Sequence, residues 1–306
     1  MATAAQSPSP PPRPREGFFT FLKRGVLIPT RNRGLFLPLA ALYATRSTAF
    51  LLVRTLTCWS FAATVDGDAS VRFFTQLGRF LADCPWLLPA GAVYLAAHVA
   101  LGLAIEVAVA CAAVASCSGE RHTLHSLLMG KVKGNLRGPM VTIVSGDIRG
   151  WAYYLGAAAA STVLAAFLSA LSVGAGLLAL ILMFLGLFFF VMYFPVVCAV
   201  AVVASVAEPG RRGGGALERA RRLMRGKKGQ AVLYTAVAWA LEQAVWKTHA
   251  LAMASMPQSV AAAMVRPDAV VVYLFLGVLK VFCTATVTAY YFECRATEEE
   301  KAGHRE

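Results

Sequence analysis

From Trp151 to Ala207 the chain runs 57 residues without an Asp, Glu, Lys, Arg or His. A helix that crosses a bilayer needs about 20 predominantly apolar residues, so this run predicts two spans that turn at Ser172-Val173-Gly174-Ala175-Gly176. A helix lying on a soluble core keeps a polar face, and nothing in such a core would strip it of charge for that length. Composition points the same way. The chain is 58% hydrophobic and 15% charged, with a mean hydropathy of +0.61, well off the balance of soluble domains. The expected fold is all-α: a polytopic integral membrane protein.

Hydropathy predicts six spans, at 34–61, 86–116, 151–172, 176–207, 231–252 and 268–291. Arg46 and Arg54 interrupt the first, and Glu242, Lys247 and His249 the fifth. A four-span alternative would leave those two as buried or interfacial helices. The cations decide between the two. Lys and Arg number 22 in the N-terminal segment, the second and fourth loops and the C-terminal tail, against three on the other side (Arg72, Arg79 and Arg266). The alternation needs all six spans. The positive-inside rule then puts both termini in the cytoplasm, in a plasma membrane or endomembrane rather than a plastid envelope. Residues 1–16 are rich in Pro, Ser and Arg, with no apolar core for a cleavable signal, and are expected to be a disordered tail. Residues 296–306 read as a charged cytoplasmic tail, with the transmembrane domain over 17–295.

The basic segments share a layout of amphipathic stretch, basic-Gly break, then span. The stretches are 18–28, 124–132 and 216–224. The breaks are Arg31-Asn32-Arg33-Gly34, Leu136-Arg137-Gly138 and Lys227-Lys228-Gly229, where glycine is expected to let the chain turn into the membrane. Helices of this kind lie in the headgroup layer, each cation contributing about 1 kcal/mol near an anionic surface. In the third stretch Leu217, Ala220 and Met224 share a face. Arg219, Arg221, Arg222, Arg225, Lys227 and Lys228 are the candidate contacts to lipid headgroups. Membrane lipid with anionic headgroups on the cytoplasmic side is therefore the expected partner, and no nucleic acid.

Three further stretches carry a resemblance. Val203-Ala204-Ser205-Val206-Ala207-Glu208 is followed by Gly215-Ala216-Leu217-Glu218-Arg219-Ala220 and then by Leu223-Met224-Arg225-Gly226-Lys227-Lys228. This order resembles a plant family of uncharacterised multi-pass transmembrane proteins and, distantly, the membrane domain of bacterial glycerophosphodiester phosphodiesterases. Phe21-Leu22-Lys23-Arg24, Asn32-Arg33-Gly34-Leu35-Phe36 and Tyr290-Tyr291-Phe292-Glu293-Cys294-Arg295 are similar to the plant family as well. The likeness covers about 17–295, with Arg211–Gly215 and the arginines of span one as departures. It implies a polytopic helical membrane protein. The bacterial catalytic barrel is missing, so the resemblance brings no phosphodiesterase chemistry.

Ionisable groups at membrane depth are costly, about 3 kcal/mol or more for a lone charge, and so point to either pairing or function. The candidates are Arg46, Glu106, Glu242 and Lys280. They are expected as two acid–base pairs, Arg46 with Glu106 and Glu242 with Lys280, each within one hairpin. Tyr273, Gly277, Lys280, Thr284, Thr288 and Tyr291 form a polar stripe on span six, and Glu242, Trp246 and His249 share a face of span five. Pro195 is expected to kink span four by leaving an upstream carbonyl without its donor. Gly156/Ala160 and Ser161/Ala165/Ser169/Ser172 read as packing faces. Cys117 and Cys294 sit at the boundary where palmitoylation is chemically open, and Cys58 and Cys84 flank the outer loop; inert thiols are the preferred reading for both pairs.

Enzyme signatures such as HExxH, GxSxG or a Walker loop do not occur. No catalytic, metal or cofactor-binding residue is assigned, and no cofactor is expected. The expected function is non-enzymatic: organising membrane or partners through the cationic face. The alternative is a transporter or channel-like protein that uses the intramembrane Glu and Lys residues.

Overall fold

The computed structural model describes residues 18–62, 86–119, 126, 137–169, 173–208, 210–254 and 267–303, and no strand occurs among them. Among the described residues the helices with defined bounds follow in order: α1 Phe18–Arg31, α2 Arg33–Ala62, α3 Leu87–Cys117, α4 Arg137–Ser169, α5 Val173–Ala207, α6 Gly214–Leu223, α7 Lys228–Ala254 and α8 Pro267–Gly303. Three contain stretches long and apolar enough to cross a membrane: Pro89–Cys117, Met183–Ala207 and Val271–Lys301. The chain is on that ground a membrane protein. The other three long helices are of similar length, and charges interrupt their apolar stretches: Arg46 and Arg54 in α2, Asp147 and Arg149 in α4, Glu242 and Lys247 in α7.

The helix packing gathers α1, α6 and the adjoining ends of α3, α4 and α8 at one end of the bundle, the basic end. Gly213 N–H donates to Thr142 Oγ1 at 2.9 Å, which ties the start of α6 to α4. Phe21 of α1 packs on Tyr290 of α8, with ring centroids 5.4 Å apart. Arg24 lies within electrostatic reach of Cys117, at the end of α3. A core forms there from the valines of α5, Ala216, Leu217 and Ala220 of α6, Phe21, and Tyr290 and Tyr291 of α8. A second core joins Leu35, Phe36 and Leu39 of α2 to the alanine-rich half of α3 and to Val281. Two glycines set the crossings onto α8. A Cβ on Gly277 would come within 2.6 Å of the Ala40 carbonyl, and one on Gly25 within 2.6 Å of the Thr286 Cα. Away from the basic end the helices turn large apolar side chains outward, among them Trp151, Leu155, Val163, Leu177 and Phe184. So large an apolar surface suits lipid rather than water.

Several expectations need correction. Gly34, Gly138 and Gly229 lie in the first turns of α2, α4 and α7 instead of making the breaks. Asn32 separates α1 from α2, its carbonyl accepting from Leu35 N–H at 2.9 Å. Gly226 reverses the chain between α6 and α7 at φ 88°, a conformation that favours glycine. Val173–Gly176 opens α5 and is therefore not a turn. Helix α4 begins 14 residues before the predicted span, because Arg137–Gly150 is helical too. Helix α8 runs on to Gly303, so 296–303 is helical and continuous with the preceding span.

The apolar face of α6 is spent on protein. Leu217 is 1% exposed, and Ala216, Ala220 and Met224 are each 0% exposed. The expectation that this face inserts into lipid is therefore replaced by docking on α5 and α8. Cys294 is buried as well, closed to acylation. Gly156 and Ala160 face outward, and a Cβ on Gly156 would meet nothing within 4 Å. The tail 1–16, the stretch 124–132 apart from Ser126, the turn residue Ser172, Arg72, Arg79, Arg266, and the side chains of Cys58, Cys84 and His249 lie outside the described residues.

Candidate functional site

Helix length sets the depth of the charged groups. At about 1.5 Å per residue, Glu242 lies roughly 21 Å along α7 from Lys228, well away from the basic end. On α7 the spacing i, i+3, i+7 puts Trp239, Glu242 and Trp246 on one face, and on α8 the same spacing aligns Tyr273, Leu276 and Lys280. These faces border a cavity of about 750 Å³ lined from α2, α3, α4, α5, α7 and α8. Its polar lining includes Tyr43 and Ser47, His98 and Glu106, Thr235 and Glu242, and Lys280 and Thr284. Valines of α5 supply much of the apolar wall. Pro195 and Val191 also line it. Proline has no N–H, so the Val191 carbonyl one turn earlier lacks its helical donor beside the cavity.

Three of the four predicted membrane-depth residues, Glu106, Glu242 and Lys280, thus meet around one space. The fourth, Arg46, stands behind it: Arg46 Nε donates to the His98 carbonyl at 3.2 Å, and Gly102, lacking a Cβ, leaves room for the guanidinium. The expected direct pairs do not form. No ion pair within 4 Å joins Arg46 to Glu106 or Glu242 to Lys280 among the described residues. Lys280 instead lies within electrostatic reach of Tyr43, Glu106 and Glu242 together, and Glu106 within reach of Lys280, Asp147 and Arg46. The physical reason is the space between the helices, which holds the side chains apart. Trp246 packs edge-on against Tyr273 at 5.9 Å, closing one wall between α7 and α8. Of the stripe on α8, Lys280, Thr284 and Tyr273 reach the cavity, whereas Thr288 and Tyr291 are buried in the basic-end core.

Tyr43, Ser47, His98, Asp147 and Trp239 were not singled out by the sequence. The signals exist but are weak. Tyr43, Ser47 and Phe50 lie at i, i+4, i+7 on α2, and His98 is eight residues from Glu106 on α3.

At the basic end, charge is used differently. Glu208, just past α5, accepts from Tyr291 Oη at 2.8 Å and Arg219 Nε at 3.4 Å, and its other oxygen forms an ion pair with Arg211 Nε at 2.9 Å. Burial pushes its carboxyl upward, but the Tyr291 and Arg219 hydrogen bonds and the charges of Arg219 and Arg211 outweigh that and leave it below its ordinary value. Arg219 Nη1 also meets Glu298 Oε2 at 2.6 Å. Lys227 Nζ meets Glu293 Oε1 at 3.1 Å, while Tyr290 Oη donates to the Lys227 carbonyl at 3.2 Å. Arg222 pairs with Glu218 one turn earlier. Of the six candidate headgroup contacts, Arg219 and Lys227 are thus committed to α8. Arg221, Arg225 and Lys228 remain exposed, with Lys228 Nζ 6.0 Å from the Tyr193 ring centroid.

Residues 67–305 match the model of a domain of unknown function, DUF8558, and the chain belongs to that family. No curated protein and no solved structure is significantly similar to it.

Proposed function

We propose that the protein is a six-span, non-enzymatic membrane protein of the transporter or channel-like class, with both termini cytoplasmic and its working site in the cavity between α2, α3, α5, α7 and α8. One observation carries this reading. Glu106, Glu242 and Lys280 line a single open space without an ion pair between them, and the six-span topology would set that space at membrane depth. Charges that only held helices in register would be in contact, because each unpaired one costs several kcal/mol in hydrocarbon. A cavity that admits water or a polar solute supports such an arrangement. Thiol accessibility tests it. In a background without the seven native cysteines, Ser47→Cys and Thr284→Cys should react in the bilayer with a small water-soluble thiol reagent. Thr288→Cys, at a fully buried position, should not. Protection of all three would sink the reading.

The second reading, a cationic face that organises membrane or partners, draws on Arg221, Arg225 and Lys228, which stay exposed. It rests on charge alone, since the apolar face of α6 is already buried in protein.

A further inference from the structure

We infer that this cavity recognises an alkylammonium group, bound by the Glu242 carboxylate between the rings of Trp239 and Trp246; the inference rests on the cavity being the working site. Three observations converge on that chemistry. The first is charge. Lys280 and Arg46 both lie within electrostatic reach of Glu106, and so does Asp147. Lys280 also reaches Glu242, so two cations face three carboxylates, none of which has a hydrogen bond or ion pair to a described residue. The site has one carboxylate in excess, and Glu242 is the one that lies between the tryptophans on α7.

The second is the company Glu242 keeps. Trp239 and Trp246 are on its own face of α7, 49% and 38% exposed, and both line the cavity. Tyr273 backs Trp246 from α8. Indole faces attract cations through their quadrupole, most strongly where water is excluded, and rings framing a carboxylate are how proteins hold quaternary ammonium groups. An anion would find no such match here, because the carboxylate would repel it. The third is depth. A carboxylate near the bilayer midplane gains most from a cation that brings its own apolar substituents, since ammonium alkyl groups pack on the rings without a hydration shell to strip.

Such a group can come from a water-soluble amine or from a lipid headgroup, and the test separates the two. The full chain is placed in nanodiscs of phosphatidylglycerol, which has no ammonium group to compete. Labelled choline is titrated as the soluble source and a short-chain phosphocholine lipid as the membrane source, with empty nanodiscs as the background. Saturable binding of at least one is expected, with a change in tryptophan emission. Glu242→Gln should weaken it by about tenfold or more, as loss of one partner of a desolvated charge pair does. Trp239→Leu should weaken it by about 3-fold, the scale of one cation–π contact. Lys280→Met, which removes the cation that competes for Glu242, should tighten it, and weaker binding would count against the inference. Choline binding alone assigns a soluble amine, and phosphocholine binding alone a lipid headgroup. Failure of the wild type to bind either, or equal affinity in Glu242→Gln, would overturn the inference. So would binding of a dicarboxylate such as glutarate that is lost in Lys280→Met. If Ser47→Cys and Thr284→Cys still react with the thiol reagent, the working-site reading survives that failure; if they do not, both fall.

Discussion

The basic end and the mid-bundle cavity are built from the same kinds of residue and use them in opposite ways. At the basic end Glu208 is gripped by Tyr291, Arg211 and Arg219, and α6 is bound to α8 through Arg219–Glu298 and Lys227–Glu293. In the cavity Glu242 and Lys280 stand apart and open to the space between them. Carboxylates in contact with donors hold elements together. Carboxylates kept from donors, in a space that water can enter, are available to something else. The difference is one of helix spacing: α6 is pressed against α5 and α8 by a fully buried apolar face, whereas α7 packs on α5 and α8 without closing over α2 and α3.

Four substitutions can break or sharpen that contrast, all read as melting in mild detergent. Gly277→Val should cost most, about 3 kcal/mol, because its side chain would drive into the Ala40 carbonyl, and backbone cannot move aside as a side chain can. Glu208→Gln should follow at about 2 kcal/mol, the scale of hydrogen bonds to a charged group. The same residue makes the clamp sensitive to acid. Its carboxyl is held below the ordinary value, so its stabilising contribution is complete above the unfolded carboxylate's value. That contribution is lost as pH falls through the lower folded value. Acid melting curves of Glu208→Gln should lack that component. Tyr291→Phe removes one donor from a site that keeps the Arg219 hydrogen bond and the Arg211 ion pair, and should cost about 1 kcal/mol. Glu242→Gln should change stability least, by no more than about 0.5 kcal/mol, because no described side chain bonds to it. A loss from Glu242→Gln as large as that from Glu208→Gln would erase the distinction between the two regions.

How much of this is legible in the sequence depends on what each residue's position is decided by. The helices are, because hydropathy and length act locally. Predicted spans over 34–61 and 86–116 become helices Arg33–Ala62 and Leu87–Cys117. The cost of charge in hydrocarbon also flagged Glu106, Glu242 and Lys280, which the fold brings to one cavity. Contacts between distant segments are not legible in the same way. Arg219 and Lys227 read as lipid-facing cations because nothing local shows that Glu298 and Glu293, more than 60 residues on, come back to meet them. Leu217, Ala220 and Met224 form an amphipathic face that would suit a bilayer surface or a protein core equally, and only packing chooses the core. Pairing of Glu242 with Lys280 failed as an expectation for the same reason: sequence gives depth along each helix, not the gap between helices.

Flux tests the central claim most directly. Reconstituted into sealed vesicles, the wild-type chain should release at least one class of small charged solute, whether cationic, zwitterionic or anionic, faster than protein-free vesicles. Glu242→Gln, which leaves the melting curve in place, and Lys280→Met should alter the rate or the solute preference. Release at the protein-free rate for every class, from wild type and variants alike, would contradict the account and return the protein to the role of a cationic membrane-surface organiser.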